Sequence, residues 1–278
     1  MNKYLISITA AILLAACSES EPEKPTAPPP AAKASKPAAA PSGYRPNPAW
    51  PTHLVGSELS YPPFEFKDKL GQPTGFEVEL LQAIAQKEQF NVQFLDHKRG
   101  QAAETLNRSQ FSIWASALSH TPERVAAMDL SHPFLDIKMV VALADNEEND
   151  NIKSLNDLKG KKIAISSESS KSFADFASSL TGSSDNILRA GSFYLAMREA
   201  HVGKASGLII DSRVLAYLRL HNPAMPFREL PLPDTRKDLV FAVKKGNREL
   251  LDKINRGLDK VKADGTYDKL VQKWFGKE

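Results

Sequence analysis

The chain has 278 residues, of which 42% are hydrophobic and 25% charged, so it can bury a core and is not a disordered protein. The net charge of +3 comes from interspersed basic and acidic residues, which excludes the concentrated positive patch typical of nucleic-acid-binding proteins. The one cysteine, Cys17, excludes an internal disulfide framework and a thiolate metal cluster.

The amino terminus predicts export and a lipid anchor. Residues 1–16 combine a positively charged start with an apolar run, Tyr4 to Leu14, and small residues before Cys17. This run is too short to span a bilayer, which takes about 20 apolar residues, but it suits a signal peptide. The motif Leu14-Ala15-Ala16-Cys17 resembles the lipobox of bacterial lipoproteins, which implies that Cys17 is acylated and binds membrane lipid; the alternative is an ordinary signal peptide with a chance cysteine. We therefore expect a lipid-anchored protein on the periplasmic side of a bacterial membrane.

The next segment, residues 17–49, is rich in proline and alanine and has almost no branched or aromatic side chains. Such a segment cannot bury enough apolar area to offset the entropy of ordering it. It is predicted to be an extended tether of about 3 Å per residue, with the folded unit starting near Trp50.

From His53 onward, short β-rich runs alternate with amphipathic stretches, which predicts an α/β fold. The predicted strands lie at 53–57, 92–95, 111–115, 139–143, 161–165, 207–210 and 239–243. The predicted helices start at about 76, cover the stretch before 108, and lie at 173–180, 194–200, 214–220, 250–261 and the final stretch through Trp274. Their apolar stripes are interpreted as core.

Four stretches of sequence carry a family resemblance. They are GSELSYPPFEF at 56–66 with GFEVEL at 75–80, SALSHTPER at 116–124, DLKGKKI at 157–163, and KADGTYDK at 262–269 followed by KWFG at 273–276. Each is weak alone, but their order and spacing together are specific. The chain resembles family 3 of the extracellular solute-binding proteins, the polar-amino-acid type of ABC importers, over nearly all of residues 53–276.

The resemblance implies a two-lobed periplasmic-binding-protein fold of type II with two crossover hinge strands. Lobe 1 is expected to comprise residues 50–133 plus 240–278, and lobe 2 residues 139–234. The hinges are expected at 134–138 and 235–239. Proteins of this kind close by hinge motion around a ligand held between the lobes.

The resemblance places Arg124 at the position that binds the ligand carboxylate. A guanidinium suits this role because its planar fork matches two oxygens and it keeps its charge. The alternative is a surface ion pair with Glu123 or Asp129.

Three residues just before Arg124 are also expected near the ligand. Ser119 matches a serine or threonine that hydrogen-bonds the ligand, and Ala117 matches a position that offers mainly backbone. Ser116 is close enough to contribute, or it is a strand-end serine bonded to its own loop.

The second lobe and the aromatic side of the cleft supply the other expected contacts. Asp211 follows a buried strand and, by resemblance, accepts hydrogen bonds from the ligand ammonium; the alternative is a helix N-cap. Tyr61 matches an aromatic residue that lies over the ligand, and Glu58 an acidic residue at its side-chain end. Ser169 and Ser170 match a Thr-Thr pair at a helix start, where free amides favour an anion.

Three positions depart from the family pattern. Arg99 stands where a second stacking aromatic is common, Glu168 replaces a glycine, and Ser112 replaces an aspartate. Glu58 and Glu168 favour a cationic or ammonium-bearing ligand side chain, whereas Arg99 favours an acidic one, and both alternatives stay open.

The predicted function is to bind a polar amino acid and deliver it to the membrane subunits of an ABC permease, as a monomer without catalysis or cofactor. Neither a nucleophile with its base nor a metal or phosphate motif is recognisable, and the six histidines have no ligand spacing. One alternative is a cyclohexadienyl-dehydratase-like enzyme on the same fold, with Glu168 as general acid. A signalling or adhesion lipoprotein that has lost its cleft is the other.

Overall fold

Two five-stranded sheets, each flanked by helices, form the part of the chain that this computed structural model describes, residues 44–98, 100–167, 169 and 171–277. The predicted α/β class is confirmed. We call the first sheet and its helices lobe 1, and the second sheet and its helices lobe 2. The expected residue boundaries of the lobes stay a prediction.

The sheet of lobe 1 combines strands from both ends of the folded chain. In spatial order it contains β5 (Asn91–Asp96), β1 (Thr52–Ser57), β6 (Ile113–Trp114), β15 (Ala242–Lys244) and β7 (Met128–Leu130). Strand β1 is parallel to β5 and β6, whereas β15 is antiparallel to β6 and β7. A separate small sheet follows β1, with strands β2 (Ser60–Tyr61), β3 (Glu65–Lys67) and β4 (Pro73–Thr74).

The sheet of lobe 2 is built from one continuous stretch. Its strands in spatial order are β11 (Ile187–Ala190), β10 (Ile163–Ser166), β12 (Gly207–Asp211), β9 (Met139–Ala144) and β13 (Phe227–Pro231). Strand β10 is parallel to β11 and β12, and β9 is antiparallel to β12 and β13. All of β12 is buried, as the apolar run Leu208-Ile209-Ile210 predicts, and the buried stretch includes Asp211 at its end.

Two strands carry the chain between the lobes. Strands β8 (Leu135–Ile137) and β14 (Lys237–Leu239) form an antiparallel pair that pairs Leu135 with Leu239 and Ile137 with Lys237. They lie within the two ranges expected for the crossovers, and we call them the crossover pair.

One predicted strand, 239–243, is wrong as a single element. It is split between β14 in the crossover pair and β15 in the sheet of lobe 1. Between them, the Val240 N–H donates to the Leu118 carbonyl and the Phe241 N–H to the Ser131 hydroxyl, so neither amide joins a strand ladder. The apolar sequence is continuous across 239–243, so it gives no indication that the chain leaves β8 and joins the sheet of lobe 1 within this stretch.

Eight α-helices surround the sheets in the described part of the chain. They are α1 (Phe76–Lys87), α2 (Ala102–Asn107), α3 (Pro122–Ala127), α4 (Lys171–Thr181), α5 (Phe193–His201), α6 (Ser212–His221), α7 (Arg248–Ala263) and α8 (Thr266–Phe275). In α1 the predicted stripe of Leu80, Leu81 and Ile84 is fully buried, and each such side chain contributes about 1.5–3 kcal/mol. Gly257 of α7 lets this stripe approach closely, since an added Cβ would come within 2.6 Å of an Ile84 side-chain carbon.

The folded contacts begin at Tyr44, six residues before the expected start at Trp50. The buried Tyr44 hydroxyl accepts a hydrogen bond from the Val92 N–H of β5 at 2.9 Å. The Asn91 amide group accepts from the Asn47 N–H at 2.9 Å and donates to the Asn47 carbonyl at 2.8 Å. Residues 44–50, which we call the N-terminal strap, therefore run along the outer edge of the lobe 1 sheet. Cys17 and the predicted signal peptide lie outside the described residues, in which no helix is long and apolar enough to cross a membrane.

Candidate functional site

A cavity of about 670 Å³ lies between the loop after β1 and the helix starts of lobe 2. It is lined by Glu58, Ser60, Tyr61, Pro62, Ser166, Ser169, Ser192, Phe193, Tyr194, Val214, Tyr217 and Leu218. The first four belong to lobe 1 and the others to lobe 2. Three predicted ligand residues, Glu58, Tyr61 and Ser169, are therefore brought together in one interlobe cavity.

Aromatic rings from both lobes form much of the cavity wall. The rings of Tyr61 and Phe193 lie with centroids 6.4 Å apart and planes tilted by 49°, and Tyr61 also packs on Phe64 at 5.3 Å. Tyr217 packs on Trp274 at 6.2 Å, and burial raises the pKa of its phenol. Tyr194 is half exposed at 48%. Such a wall suits an aliphatic stem or a cation.

The other predicted residues that are described, Arg124, Ser119, Ala117 and Asp211, are not among the cavity-lining residues. They lie instead at the two ends of the crossover pair. Ser119 forms a β-bridge with Leu239 at the lobe 1 end, and Asp211 pairs with Met139 at the lobe 2 end. From Leu135, the partner of Leu239, to Met139 the chain advances four residues, about 13 Å in extended conformation.

Helix α3 positions Arg124 next to the loop that precedes it. The Thr121 hydroxyl caps the helix by accepting from the Arg124 N–H at 3.4 Å, and Pro122 takes the first helical position, where its missing N–H costs nothing. The half-buried Arg124 side chain donates through Nη1 to the Ser119 carbonyl at 2.6 Å.

The two alternative partners of Arg124 have different environments. Asp129 is buried and is held by Lys245 at 3.3 Å, Arg248 at 3.6 Å and the Gly246 N–H at 2.8 Å. Glu123 is exposed; its own backbone N–H and the Thr121 hydroxyl lower its pKa most, and the charge of Arg124 lowers it further. The cations at Asp129 come from the segment after β15, so the alternative pairing of Arg124 with Asp129 has competing partners.

Two buried carboxylates hold the loop that follows β6. The Ser116 hydroxyl donates to Glu65 Oε1 at 3.0 Å and accepts from the Glu58 N–H at 3.1 Å. The Ala117 N–H donates to Glu77 Oε2 at 2.7 Å, and Ala117 has a positive φ of 43°, which is rare for a residue other than glycine. Ser116 is therefore bonded to neighbouring elements rather than only to its own loop.

Asp211 is buried at the start of α6 and serves as its N-cap. Its Oδ1 accepts from the N–H groups of Arg213 at 2.7 Å and Val214 at 3.3 Å. Its Oδ2 is buried and has no hydrogen-bond partner among the described residues. Burial raises the pKa of this carboxyl to about 6, although the two N–H groups oppose the rise. The N-cap alternative thus accounts for one oxygen and leaves the second available.

The remaining predicted residues are only partly described. Ser169 is half-buried, and its N–H donates to the Ser166 carbonyl at 3.0 Å. Ser170, Arg99 and Glu168 lie outside the described residues. Within the described ranges, no group of three or more His, Cys, Asp or Glu side chains is placed to hold a metal ion.

Sequence reasoning missed the second-lobe wall of the cavity. Ser192 caps α5 by accepting from the Leu195 N–H at 3.2 Å, and Phe193 and Tyr194 follow it directly after β11. The signal was the serine between a strand and a helix, but the strand itself, Ile-Leu-Arg-Ala, was not predicted. Tyr217 lies three residues after Val214 on α6, so helical spacing pointed to a shared face.

Comparison with known proteins agrees with this architecture. The family model described as bacterial extracellular solute-binding proteins, family 3, matches residues 54–277. A probable histidine-binding protein of Neisseria gonorrhoeae is 30% identical over 230 residues, which cover 81% of this chain and 84% of that protein.

Two solved structures resemble the chain along most of their length. An ancestral cationic amino acid solute-binding protein is 32% identical with a TM-score of 0.70, covering 81% of this chain and 95% of that one. The L-cystine solute receptor of Neisseria gonorrhoeae, solved in the unliganded open conformation, is 28% identical with a TM-score of 0.67, covering 82% of this chain and 94% of that one. The predicted type II periplasmic-binding-protein fold is confirmed.

Proposed function

Because the chain belongs to family 3 of the bacterial extracellular solute-binding proteins, we propose that it binds a polar amino acid between its lobes and delivers it to the permease of an ABC importer. The observation that carries this proposal is the position of Arg124 with Ser119 and of Asp211 at opposite ends of the crossover pair. A zwitterion needs a cation at one end and an anion at the other once water is expelled, because either charge buried alone is costly.

In the proposed complex, Arg124 binds the ligand carboxylate. Its guanidinium donates through Nη1 to the Ser119 carbonyl, and the planar fork of N–H donors in this group matches the two oxygens of a carboxylate. Ser119 and the backbone at Ala117 complete this end, while the hydroxyls of Ser169 and Ser170 bind from lobe 2.

Asp211 binds the ligand ammonium. Its buried Oδ2 has no hydrogen-bond partner among the described groups, so an incoming N–H donor satisfies an oxygen that is already dehydrated. A positive charge at this oxygen also favours the ionised form, whose formation burial opposes.

The cavity beyond these two groups accepts the ligand side chain. Tyr61, Phe193 and Tyr217 offer aromatic faces, and Glu58 adds a carboxylate to the same wall. This chemistry favours a long side chain with a positively charged or ammonium-bearing end. Similar proteins are named for histidine, cationic amino acids and L-cystine, and these are therefore the first ligands to test.

Closure of lobe 2 (139–234) onto lobe 1 (50–133 plus 240–278) traps the ligand, with 134–138 and 235–239 as hinges. The antiparallel crossover pair supports this proposal, because only two short strands must bend for the lobes to approach. We propose that one chain performs this cycle as a monomer, since both lobes contribute to a single cavity.

The anchoring proposal follows from the lipobox-like motif at Cys17. Acylation there would hold the protein on the periplasmic side of a bacterial membrane, because each buried CH₂ of an acyl chain contributes about 0.8 kcal/mol. Labelling cells with a clickable palmitate analogue tests it: the wild-type chain should be labelled and membrane-bound, and Cys17→Ser should be neither. Equal labelling of both would contradict it.

We also propose that the chain binds its ligand without transforming it, because similar proteins are named as binding proteins. Incubation of the purified protein with prephenate or arogenate should leave both compounds intact. Formation of an aromatic product would favour the dehydratase alternative.

The main test is a ligand screen by thermal unfolding and calorimetry on the purified chain. A ligand that binds only the folded state stabilises it by RT ln(1 + [L]/Kd), about 2.7 kcal/mol at one hundred times Kd. Screening the twenty amino acids and cystine should identify at least one such ligand. No stabilisation by any of them would leave the signalling or adhesion class as the better account.

A further inference from the structure

We propose that Glu65 and Glu77 are positioning residues for the ligand: their buried carboxylates hold the backbone of Ser116 and Ala117 so that the loop leading to Arg124 faces the site. This inference rests on the proposed function and adds two residues that make the lobe 1 half of the site rigid. Neither residue lines the cavity.

The two carboxylates come from neighbouring elements and are both fully buried. Glu65 begins β3, Glu77 lies in the first turn of α1, and each side chain has no solvent exposure. A negative charge in the first turn of a helix is favoured by the helix dipole. Burying a carboxylate is otherwise unfavourable, so its retention in a core points to the hydrogen bonds that it accepts.

The backbone around Gly75 fixes where Glu77 lies. Gly75 has a φ of 126°, and an added Cβ would collide with the Phe64 carbonyl. The N–H groups of Phe76 and Glu77 donate to the carbonyls of Pro63 and Phe64 at 2.8 and 2.9 Å. The start of α1 is thus bonded to the segment that leads into Glu65, and the two carboxylates belong to one rigid unit.

Glu77 acts on Ala117 directly. The Ala117 N–H donates to Glu77 Oε2 at 2.7 Å, at the short end of the range for an N–H···O hydrogen bond. Ala117 adopts the left-handed conformation, with φ of 43°, which a side chain disfavours. The bond therefore stabilises a conformation that the residue would not adopt by preference.

Glu65 bonds the Ser116 hydroxyl, which also bonds the backbone of Glu58. Ser116 Oγ donates to Glu65 Oε1 at 3.0 Å and accepts from the Glu58 N–H at 3.1 Å. Glu58 itself lines the cavity. Moving Ser116 would therefore shift the side-chain end of the proposed site as well as the carboxylate end.

The loop transmits its position to the guanidinium. Two residues after Ala117, Ser119 is bridged to Leu239, and its carbonyl accepts from Arg124 Nη1 at 2.6 Å. A displaced Ala117 would shift this carbonyl and hence the guanidinium. Misplacing a binding group by about 1 Å can cost a large factor in function, which gives Glu77 an effect on affinity without ligand contact.

The test compares Glu77→Ala, Glu77→Gln and a matched control, Glu79→Ala, in the full chain purified in detergent. Glu79 lies on the same helix and is also buried, but it bonds Lys273 at 2.6 Å and the Trp274 indole at 3.1 Å, away from the loop. Ser116→Ala is the fourth variant, which keeps the proposal testable if Glu77→Ala does not fold.

The first measurement is amide hydrogen exchange at Ala117 without ligand. Glu77→Ala should speed this exchange by roughly tenfold or more, because it removes the acceptor. Glu77→Gln keeps an oxygen acceptor and should stay near wild type, as should Glu79→Ala.

The second measurement is the affinity for whichever of L-arginine, L-histidine or L-cystine binds wild type most tightly. Glu77→Ala and Ser116→Ala should weaken binding by roughly tenfold and threefold respectively, while Glu77→Gln restores it to within about threefold. Glu79→Ala should lower the melting temperature and keep an affinity closer to that of wild type than Glu77→Ala does. Unchanged exchange or affinity in Glu77→Ala, or equal affinity loss in Glu77→Ala and Glu79→Ala, would overturn the proposal.

Arg124→Ala distinguishes an error in the proposed ligand site from an error in the positioning role of Glu77. If it binds as wild type does, or if none of the three amino acids binds wild type, the proposed site is wrong and the inference falls with it. If Arg124→Ala loses affinity and Glu77→Ala does not, the site stands and only the positioning role is refuted.

Discussion

The two charged groups of the proposed site are held in contrasting ways. Arg124 is half-buried on a helix of six residues, and its Nη1 donates to the Ser119 carbonyl of the preceding loop. Asp211 is 3% exposed at the start of a ten-residue helix, with one oxygen bonded to two N–H groups and the other without a hydrogen bond in the described structure.

The contrast determines when each charged group loses its water: during folding or during ligand binding. Arg124 is only half-buried, so we expect part of its dehydration to accompany ligand binding and to oppose closure. The carboxylate is dehydrated by the fold itself, as its raised pKa indicates, so that part of the cost is already present in the ligand-free protein. A ligand ammonium would then meet a partner that is already dehydrated and held in place. The fold is less stable for burying this carboxylate, and ligand binding is tighter because that cost is not incurred again.

The largest expected effect comes from deleting the cation. Arg124→Ala should weaken amino-acid binding by about 3–5 kcal/mol, because it leaves the ligand carboxylate buried without a partner. Calorimetry measures the loss. Arg108→Ala is the control, since Arg108 is 67% exposed and pairs with Glu104 on α2. Equal affinities of the two variants would remove Arg124 from the site.

Neutralising Asp211 should lower the affinity for the ligand and raise the stability of the ligand-free protein. Asp211→Asn should weaken binding by about 1.5–3 kcal/mol, because a charged hydrogen bond is lost, while asparagine still caps α6. A folded pKa of about 6, above the usual value of 3.8, means that the wild type gains stability from this group below pH 4 and loses it as the pH rises through 6. The variant should therefore melt at a higher temperature than wild type at pH 7.

Without ligand, the difference in melting temperature between Asp211→Asn and wild type should decrease as the pH is lowered towards 4. A lower melting temperature for Asp211→Asn at pH 7 would contradict the view that Asp211 is held dehydrated at the expense of the fold.

The affinity itself should depend on pH. As the pH falls below about 6 the Asp211 carboxyl takes up a proton, which it must release to pair with an ammonium, so affinity should fall by up to about tenfold from pH 6 to pH 5. Calorimetry in buffers of different ionisation enthalpy detects the released proton. A slope that persists in Asp211→Asn would assign the pH dependence to another group.

The smallest expected effect concerns the aromatic wall. Tyr61→Leu should weaken binding by about 0.5–1.5 kcal/mol, because its ring lines the cavity close to Phe193 and offers an aromatic face to the ligand side chain. Tyr194→Leu is the matched comparison and should have little effect, since this ring is half exposed. The reverse order would place the ligand side chain nearer the cavity mouth.

The periodic spacing of hydrophobic residues and the family motifs predicted most of the fold, because both can be recognised within a short stretch of sequence. The stripe of α1 and the buried strand β12 are examples. The family motifs also contained Glu65 and Glu77. A local pattern does not reveal that these carboxylates are fully buried against Ser116 and Ala117, forty or more residues away in the chain. The second-lobe wall was missed for a related reason: β11 carries Arg189 and is only partly buried, so it lacks the apolar run of a core strand.

The strap at Tyr44 has a consequence for the association of the protein with itself. Strand β5 is the last strand of its sheet, and an open edge offers its amides and carbonyls to any other extended chain. The Tyr44 hydroxyl occupies the outward amide of Val92, and Asn47 engages the Asn91 side chain beside it. A proteolytic cut after residue 49 would remove both contacts and expose that edge. We therefore expect residues 44–50 to protect β5 from pairing with a strand of another molecule.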